Sequence, residues 1–106
     1  MRKYVDITAN SESELMAAVN LGPVSVAIQA SSQVFQFYKS GILDDSRCGQ
    51  RLDHGVTLVG YGTEDGKDYY IVRNSWGAGW GEGGYIRMVR GSNQCGIAKM
   101  ATYPVV

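Results

Sequence analysis

The chain has 106 residues, of which 44% are hydrophobic, and its ten basic and ten acidic side chains give a formal net charge of zero. This length suits a single domain over residues 1–106 with a substantial core. The balanced charge, with no basic run longer than Arg2-Lys3, gives no electrostatic reason to expect nucleic acid or an anionic membrane as a partner. No apolar run is long enough for a membrane span or a signal peptide.

Strand and helix signals alternate in the first third of the chain. Residues 3–8 predict a short strand, and the Ser-Glu-Ser-Glu run at 11–14 has the form of a capping box that opens a helix. The Gly-Pro pair at 22–23 ends that helix, and the period-two pattern of residues 23–30 predicts a second strand. Residues 31–38 then predict a short helical turn capped by a serine.

The remaining segments are dominated by antiparallel strand signals. Residues 44–51 are polar and predict a loop. Three strands follow, at residues 56–61, 69–74 and 85–90. Residues 77–84 carry five glycines, which predicts a tight structured loop between the last two strands.

The predicted hairpin brings a histidine, an amide and an indole to one end of the sheet. Asp65-Gly66 is a hairpin signal, and a hairpin centred there pairs residues whose numbers sum to about 130. His54 then lies opposite roughly residue 76, close to Asn74 and Trp76. An imidazole that acts as a general base needs an acceptor at its far nitrogen, which Asn74 supplies without charge while Trp76 excludes water. We therefore identify His54 and Asn74 as candidate catalytic residues, although histidines near strand ends are more often structural.

The residues alone reveal no nucleophile for this base. Ser75 is not part of a Gly-x-Ser-x-Gly elbow. Cys48 lies close to His54 in sequence, but a disulfide to Cys95 would remove its thiolate. The two cysteines fit either one disulfide, which implies an oxidising compartment, or two buried thiols. His54 is the only histidine, so a metal site lacks ligands, and we expect neither a metal nor a cofactor.

Six short motifs in the second half of the chain are highly specific in combination. They are Leu52-Asp53-His54-Gly55-Val56, Gly60-Tyr61-Gly62, Arg73-Asn74-Ser75-Trp76-Gly77, Gly79-Trp80-Gly81-Glu82, Gly84-Tyr85 and Asn93-Gln94-Cys95-Gly96-Ile97. Together they resemble the C-terminal half of a papain-like cysteine protease of the cathepsin L type. The resemblance implies an α+β fold, mainly antiparallel β, with one N-terminal helix packed on a barrel-like sheet. It also implies a partner, the mainly helical N-terminal subdomain that carries the cysteine nucleophile and the glutamine of the oxyanion hole.

The resemblance assigns roles to several residues. His54 is the base that forms a thiolate and imidazolium pair with that cysteine, Asn74 orients its ring, and Trp76 covers their contact. In papain itself, pairing of this kind holds the thiol pKa at about 3 to 4. Cys48 and Cys95 occupy the positions of a family disulfide.

Further positions match the walls of the family's substrate cleft. They are Ala27, Leu52, Asp53 and Met100, beside the shielding Trp76. Ala27, Leu52 and Met100 correspond to the S2 pocket, and their apolar character predicts peptide and protein substrates with a bulky hydrophobic residue at P2, not arginine.

One departure from the family pattern is large. The signature Cys-Gly-Ser-Cys-Trp is missing from the 106 residues, and the usual spacing places it at least about 75 residues before Met1. We therefore expect a fragment of an endopeptidase that acts through a thioester acyl-enzyme, inactive by itself and lysosomal, vacuolar or secreted as the full-length protein. The alternatives are a non-catalytic homologue and a binding module that self-associates through the uncovered interface.

Overall fold

The computed structural model describes residues 3–105. Residues 1, 2 and 106 of the predicted domain, and with them half of the basic pair Arg2-Lys3, lie outside the described residues. The strands are β1 (Lys3–Asp6), β2 (Val24–Ile28), β3 (Ile42–Leu43), β4 (His54–Glu64), β5 (Lys67–Arg73), β6 (Tyr85–Val89) and β7 (Ala101–Val105). The helices are α1 (Glu12–Val19) and α2 (Gln33–Gln36), and 3₁₀ turns span Ser46–Cys48 and Gln94–Gly96.

The strands form one sheet in the order β1-β7-β2-β4-β5-β6-β3. All pairs are antiparallel except β3 and β6, which run parallel. Helix α1 packs against β2 and β4 through the buried side chains of Leu15, Ala18 and Val19. The predicted α+β fold, mainly antiparallel and with one N-terminal helix on the sheet, is therefore confirmed.

Serine caps begin both helices, as the sequence predicts. Ser11 Oγ accepts the Glu14 N–H at 3.4 Å, and Ser32 Oγ accepts the Phe35 N–H at 3.4 Å. The Glu14 carboxylate reaches Thr8 N–H at 3.4 Å, so it extends the cap to the residues before the helix. Each cap satisfies a backbone donor of the first helical turn that has no partner within the helix.

The β4–β5 hairpin has the predicted turn. Glu64 pairs with Lys67, and the two residues between them, Asp65 and Gly66, have φ values of 51° and 79°. Two positive φ values match the twist of a two-residue hairpin loop. Thr57 faces Arg73 in the predicted register, and a bulge between Leu58 and Gly60 shifts the rest of the ladder by one residue.

Two strands were not predicted from the sequence. β3 has only two residues and is defined by its pairing with β6. β7 contains Pro104 and is held by β1 on one side and β2 on the other. Both depend on partners distant in sequence, which a local pattern does not reveal.

A single cluster of buried side chains forms the core, and the Cys48–Cys95 disulfide lies within it. The two Cα atoms are 5.1 Å apart, and both cysteines are buried. The bridge joins the segment before β4 to the 3₁₀ turn that precedes β7, so the disulfide interpretation is confirmed. None of the helices in residues 3–105 has the length and apolar character needed to cross a bilayer.

Candidate active site

His54 and Asn74 meet at the end of the β4–β5 hairpin. His54 begins β4, where it pairs with Ile28 of β2, and Asn74 directly follows β5. His54 Nε2 lies 2.8 Å from Asn74 Oδ1. Asn74 is buried, with 6% of its surface exposed, whereas His54 is half-buried. The structure thus places the imidazole and the carboxamide in contact, as the predicted register requires.

The surroundings of Asn74 determine which ring nitrogen of His54 carries the proton. Asn74 Oδ1 also accepts the backbone N–H of Ser75 at 2.8 Å. A backbone N–H can only donate, so the side-chain atom it faces is the oxygen and the amide cannot be turned over. His54 Nε2 must then donate to that oxygen, and the neutral ring keeps its unshared electron pair on Nδ1.

An aromatic cluster supports the imidazole on one side. The Trp76 ring lies 5.2 Å from the His54 ring at an interplanar angle of 31°. Trp76 is itself packed edge-on against Phe35 at 5.3 Å and Trp80 at 5.4 Å. Phe35 is fully buried, and Trp80 Nε1 donates to the carbonyl of Gln36 at 3.2 Å. Trp76, 42% exposed, therefore covers the imidazole from an anchored position.

Phe35 and Trp80 were not among the predicted site residues. Phe35 lies in α2, far from His54 in sequence, and an aromatic residue in an amphipathic turn indicates only a core position. Trp80 lies in the glycine-rich loop. The glycines around it predict close packing, which was the one sequence feature that pointed to it. Their role in supporting Trp76 depends on the tertiary contact between α2 and this loop.

The loop of residues 77–84, called the glycine loop below, holds the Asn74 backbone. Asn74 N–H donates to the carbonyl of Gly84 at 3.0 Å, and Gly84 N–H donates to the carbonyl of Trp80 at 2.8 Å. Gly81 has φ of 60°, and a Cβ there would stand 2.6 Å from the Tyr85 carbonyl oxygen and 3.1 Å from the Tyr38 ring. A larger residue cannot replace Gly81 without moving the loop.

Three predicted pocket residues lie on neighbouring segments. Ala27 N–H donates to the carbonyl of Met100 at 3.0 Å, and Ala27 pairs with Gly55, the residue after His54. Met100 is 62% exposed. Leu52 is half-buried beside the turn that carries Gly96, whose added Cβ would lie 3.0 Å from Leu52 Cδ2. Ala27 and Met100 are thus adjacent. Leu52 lies in the segment that leads into His54.

Asp53 joins the same region through its carboxylate. Its Oδ1 accepts the Ala30 N–H at 2.7 Å, and its own N–H donates to the Ile28 carbonyl at 2.9 Å. The Ala30 N–H is the main reason that the pKa of Asp53 lies below its ordinary value. The residue is exposed, and its negative charge stands next to His54 in the chain. Its carboxylate holds the segment before β4 against the end of β2.

Residues 3–105 contain no group of three or more histidine, cysteine, aspartate or glutamate side chains placed to hold a metal ion. The cysteines are both committed to the disulfide.

The chain is similar to known proteins in sequence and in fold. The model of the papain family cysteine proteases matches residues 1–105. The chain belongs to the papain family of cysteine proteases. It is 56% identical to the cysteine proteinase RD21A of Arabidopsis thaliana over 106 residues and 56% identical to the oryzain beta chain of Oryza sativa subsp. japonica over 105 residues. These alignments cover 96% and 95% of this chain, but only 23% and 22% of the relatives.

Solved papain-family structures share the fold. The bromelain protease of Ananas comosus, in complex with the E64 inhibitor, superposes with a TM-score of 0.91 at 47% identity, covering 97% of this chain and 49% of that one. A digestive procathepsin L 3 of Tenebrio molitor larval midgut gives a TM-score of 0.91 at 50% identity, over 97% of this chain and 34% of that one. The chain thus spans about a quarter of the curated relatives and about half of the bromelain chain.

Proposed function

We propose that this papain-family chain supplies the general base and its orienting amide to a cysteine endopeptidase. The observation that carries the proposal is the hydrogen bond from His54 Nε2 to Asn74 Oδ1. That bond leaves the Nδ1 electron pair ready to accept a proton. A base held in one tautomer is what a thiol nucleophile requires from its neighbour.

The nucleophile comes from a papain-like N-terminal subdomain, either as preceding polypeptide or as a separate chain. Both cysteines of this chain are bonded to each other, so the chain alone is inactive. Two large hydrophobic side chains are exposed in this region, Trp76 beside His54 at 42% and Met100 beside Ala27 at 62%. They form the surface that receives the partner subdomain and the substrate, and they are the surface through which the isolated chain would self-associate.

The reaction proceeds in two halves. His54 Nδ1 takes the proton of the partner's thiol, and the resulting thiolate sulfur attacks the substrate carbonyl carbon. The C–N bond breaks as the imidazolium returns its proton to the leaving amine, which leaves a thioester. A water molecule then loses a proton to Nδ1 and its oxygen attacks the thioester carbon. The C–S bond breaks, the carboxylic acid is released, and the thiolate takes the proton back from the imidazolium.

Asn74 and Trp76 act on the base rather than on the substrate. Asn74 accepts from Nε2 in both protonation states of the ring, so the orientation of the imidazole is unchanged while the proton is carried. Trp76 lies over the ring and limits the access of water to this hydrogen bond, which strengthens it.

Ala27, Leu52 and Met100 form the pocket for the P2 side chain, and Asp53 lies at the edge of the cleft. The apolar side chains favour a bulky hydrophobic P2 residue. They offer no counter-charge for arginine, whose burial without a partner is costly. We expect the reconstituted enzyme to prefer phenylalanine over arginine at P2 by about tenfold or more in kcat/KM. A preference for arginine would contradict this assignment.

The proposed compartment of the full-length protein rests on the family and is supported by the disulfide. A buried disulfide persists in secreted proteins and in oxidising compartments. We therefore propose a lysosomal, vacuolar or secreted location.

Reconstitution tests the proposed function. The chain is mixed with a papain-type N-terminal subdomain that carries the cysteine, and covalent labelling of that cysteine by an irreversible thiol-directed inhibitor is followed over time. We expect labelling to require this chain and to slow by about 100-fold or more in His54→Ala, the range of a lost general base. Lys39→Ala, at an exposed position, is the control and should label at the unsubstituted rate. Equal labelling by the His54→Ala variant would refute the proposal.

A further inference from the structure

The glycine loop has a charged anchor at Glu82, outside the candidate active site. Its Oε1 accepts Arg87 Nε at 2.9 Å, while its Oε2 accepts Arg87 Nη2 at 3.0 Å and the Gly41 N–H at 3.0 Å. Two parallel bonds to one guanidinium fix the carboxylate in orientation as well as in distance. Arg87 lies in the middle of β6 and is paired with both β3 and β5. The sheet therefore holds the carboxylate, and the carboxylate holds the loop.

The pair is partly shielded from solvent and has a second acidic member. The side chains of Arg87 and Glu82 are 24% and 29% exposed. Arg87 Nη1 also bonds to Glu64, near the tip of the β4–β5 hairpin. Glu64 and Glu82 thus bind the same guanidinium, but only Glu82 belongs to the glycine loop. A substitution at Glu64 therefore removes only a charge partner of Arg87, whereas a substitution at Glu82 also removes the anchor of the loop.

A backbone connection leads from Glu82 to the orienting amide. Glu82 N–H donates to the Tyr85 carbonyl at 2.8 Å, which closes the end of the loop on the start of β6. The neighbouring Gly84 carbonyl accepts the Asn74 N–H at 3.0 Å. A shift of the loop therefore moves the acceptor that holds the Asn74 backbone.

A second connection runs through aromatic rings. Gly41, whose N–H binds Glu82, accepts the Tyr38 hydroxyl through its carbonyl at 2.6 Å. The Tyr38 ring lies 5.5 Å from Trp80, and Trp80 lies 5.4 Å from Trp76, the indole that covers His54. The same carboxylate thus supports both the amide and the indole that contact the imidazole.

We infer that Glu82 and Arg87 are a positioning pair for His54. They hold the glycine loop so that Gly84 and Trp80 keep Asn74 and Trp76 in contact with the imidazole. Neither side chain contacts the imidazole. The inference rests on the proposed function in treating His54 as the base, but its consequence is a property of the imidazole that can be measured without any catalysis.

Nitrogen NMR of the ¹⁵N-labelled chain tests the inference, because His54 is the only histidine and its signals need no assignment. In the unsubstituted chain with a neutral ring, we expect almost exclusively the Nε2–H tautomer and slow exchange of that proton with water. In Glu82→Gln, we expect the Nδ1–H tautomer to become populated and exchange to accelerate about fivefold, the effect of one weakened hydrogen bond. Glu64→Gln is the matched control, since it also removes one negative charge bound to Arg87. Its proton exchange rate should stay within about twofold of that of the unsubstituted chain.

Two results would overturn the inference: an unchanged imidazole in folded Glu82→Gln, or equal changes in Glu82→Gln and Glu64→Gln. If Glu82→Gln loses native amide dispersion, Arg87→Lys replaces it, because lysine keeps the charge but cannot form the two-pronged contact. Unchanged exchange in Arg87→Lys then overturns the inference, and about fivefold acceleration supports it. Failure of the labelling reconstitution with an ordered imidazole would refute the proposed function alone. If reconstitution gives active enzyme but the tautomer and proton exchange rate of His54 are the same in Glu82→Gln, only this inference is refuted.

Discussion

Replacing Asn74 with alanine should separate stability from function. Asn74 Oδ1 accepts two hydrogen bonds, from His54 and from the Ser75 N–H. Their loss costs about 2 kcal/mol at roughly 1 kcal/mol each. The Asn74 Nδ2 group is buried, and it has no acceptor among residues 3–105. Burial of such an unpaired amide costs about 1 to 3 kcal/mol, which the alanine variant avoids. The two effects oppose each other, so we expect the free energy of unfolding to change by less than about 1 kcal/mol.

Gln94 provides a matched control, because it and Asn74 are the buried polar side chains of the described chain, each 6% exposed. Gln94 uses both ends of its amide: Oε1 accepts the Asp45 N–H at 3.3 Å, and Nε2 donates to the Asp45 carbonyl at 2.6 Å. Its replacement with alanine removes both bonds to Asp45 and a weaker one from Nε2 to Cys95 Sγ at 3.7 Å, and it relieves no comparable unpaired group. We expect Gln94→Ala to cost about 2 kcal/mol or more.

Urea unfolding measures the free energy of unfolding of each variant. The rate of thiol-directed labelling of the reconstituted enzyme measures how well His54 acts as the base. In Asn74→Ala the imidazole loses the acceptor that selects its tautomer, so labelling should slow by about tenfold or more although the fold is as stable as before. Gln94→Ala should show the reverse, lower stability with labelling close to the unsubstituted rate in conditions where it is folded. Unchanged labelling in Asn74→Ala, or a stability loss equal to that of Gln94→Ala, would refute the reasoning.

Three further predictions concern the fold. Tyr70→Phe removes a hydroxyl that donates to the Glu12 carboxylate at 2.7 Å from a fully buried ring, and urea unfolding should show a loss of about 1.5 to 3 kcal/mol. The double replacement of Cys48 and Cys95 by alanine should cost about 4 kcal/mol, since the bridge spans a sequence separation of 47 and constrains the unfolded chain. The same measurement on the reduced, unsubstituted chain should agree. Hydrogen bonds from the Arg87 guanidinium lower the pKa of Glu82 below its ordinary value of 4.5. The ionised carboxylate therefore stabilises the fold above pH 4.5, and this stabilisation is lost as the pH falls below 4.5 and the carboxylate is protonated. The stability difference between Glu82→Gln and the unsubstituted chain should therefore shrink in acid, and a constant difference would contradict this.

The contact between His54 and Asn74 could be predicted from the sequence because a single hairpin brings the two residues together. The positive-φ preference of Asp65-Gly66 defines the turn, and the turn defines the register of β4 and β5. That register brings His54 to Asn74 because both stand at the open end of the same two strands. The residues alone allow either a disulfide or two thiols, the family resemblance implies the disulfide, and the structure contains it.

The support around the base was not predictable in this way. Trp80 is held by the Gln36 carbonyl and by the rings of Phe35 and Tyr38, all of them from segments about 40 residues earlier in the chain. Likewise, the sequence places Glu82 in the motif Gly79-Trp80-Gly81-Glu82 of a glycine-rich loop and indicates none of its contacts. Its contact with Gly41 exists only because β3 adds to the sheet beside β6.

The sequence by itself determined the hairpin, the capped helices and which imidazole and amide meet at the candidate site, because each depends on residues close together in the chain. The tertiary structure decided which nitrogen of His54 is free, what supports Trp76 and where β3 and β7 pair. These features depend on contacts between distant segments, whose geometry is set by the packing of the whole core and not by any local pattern of residues.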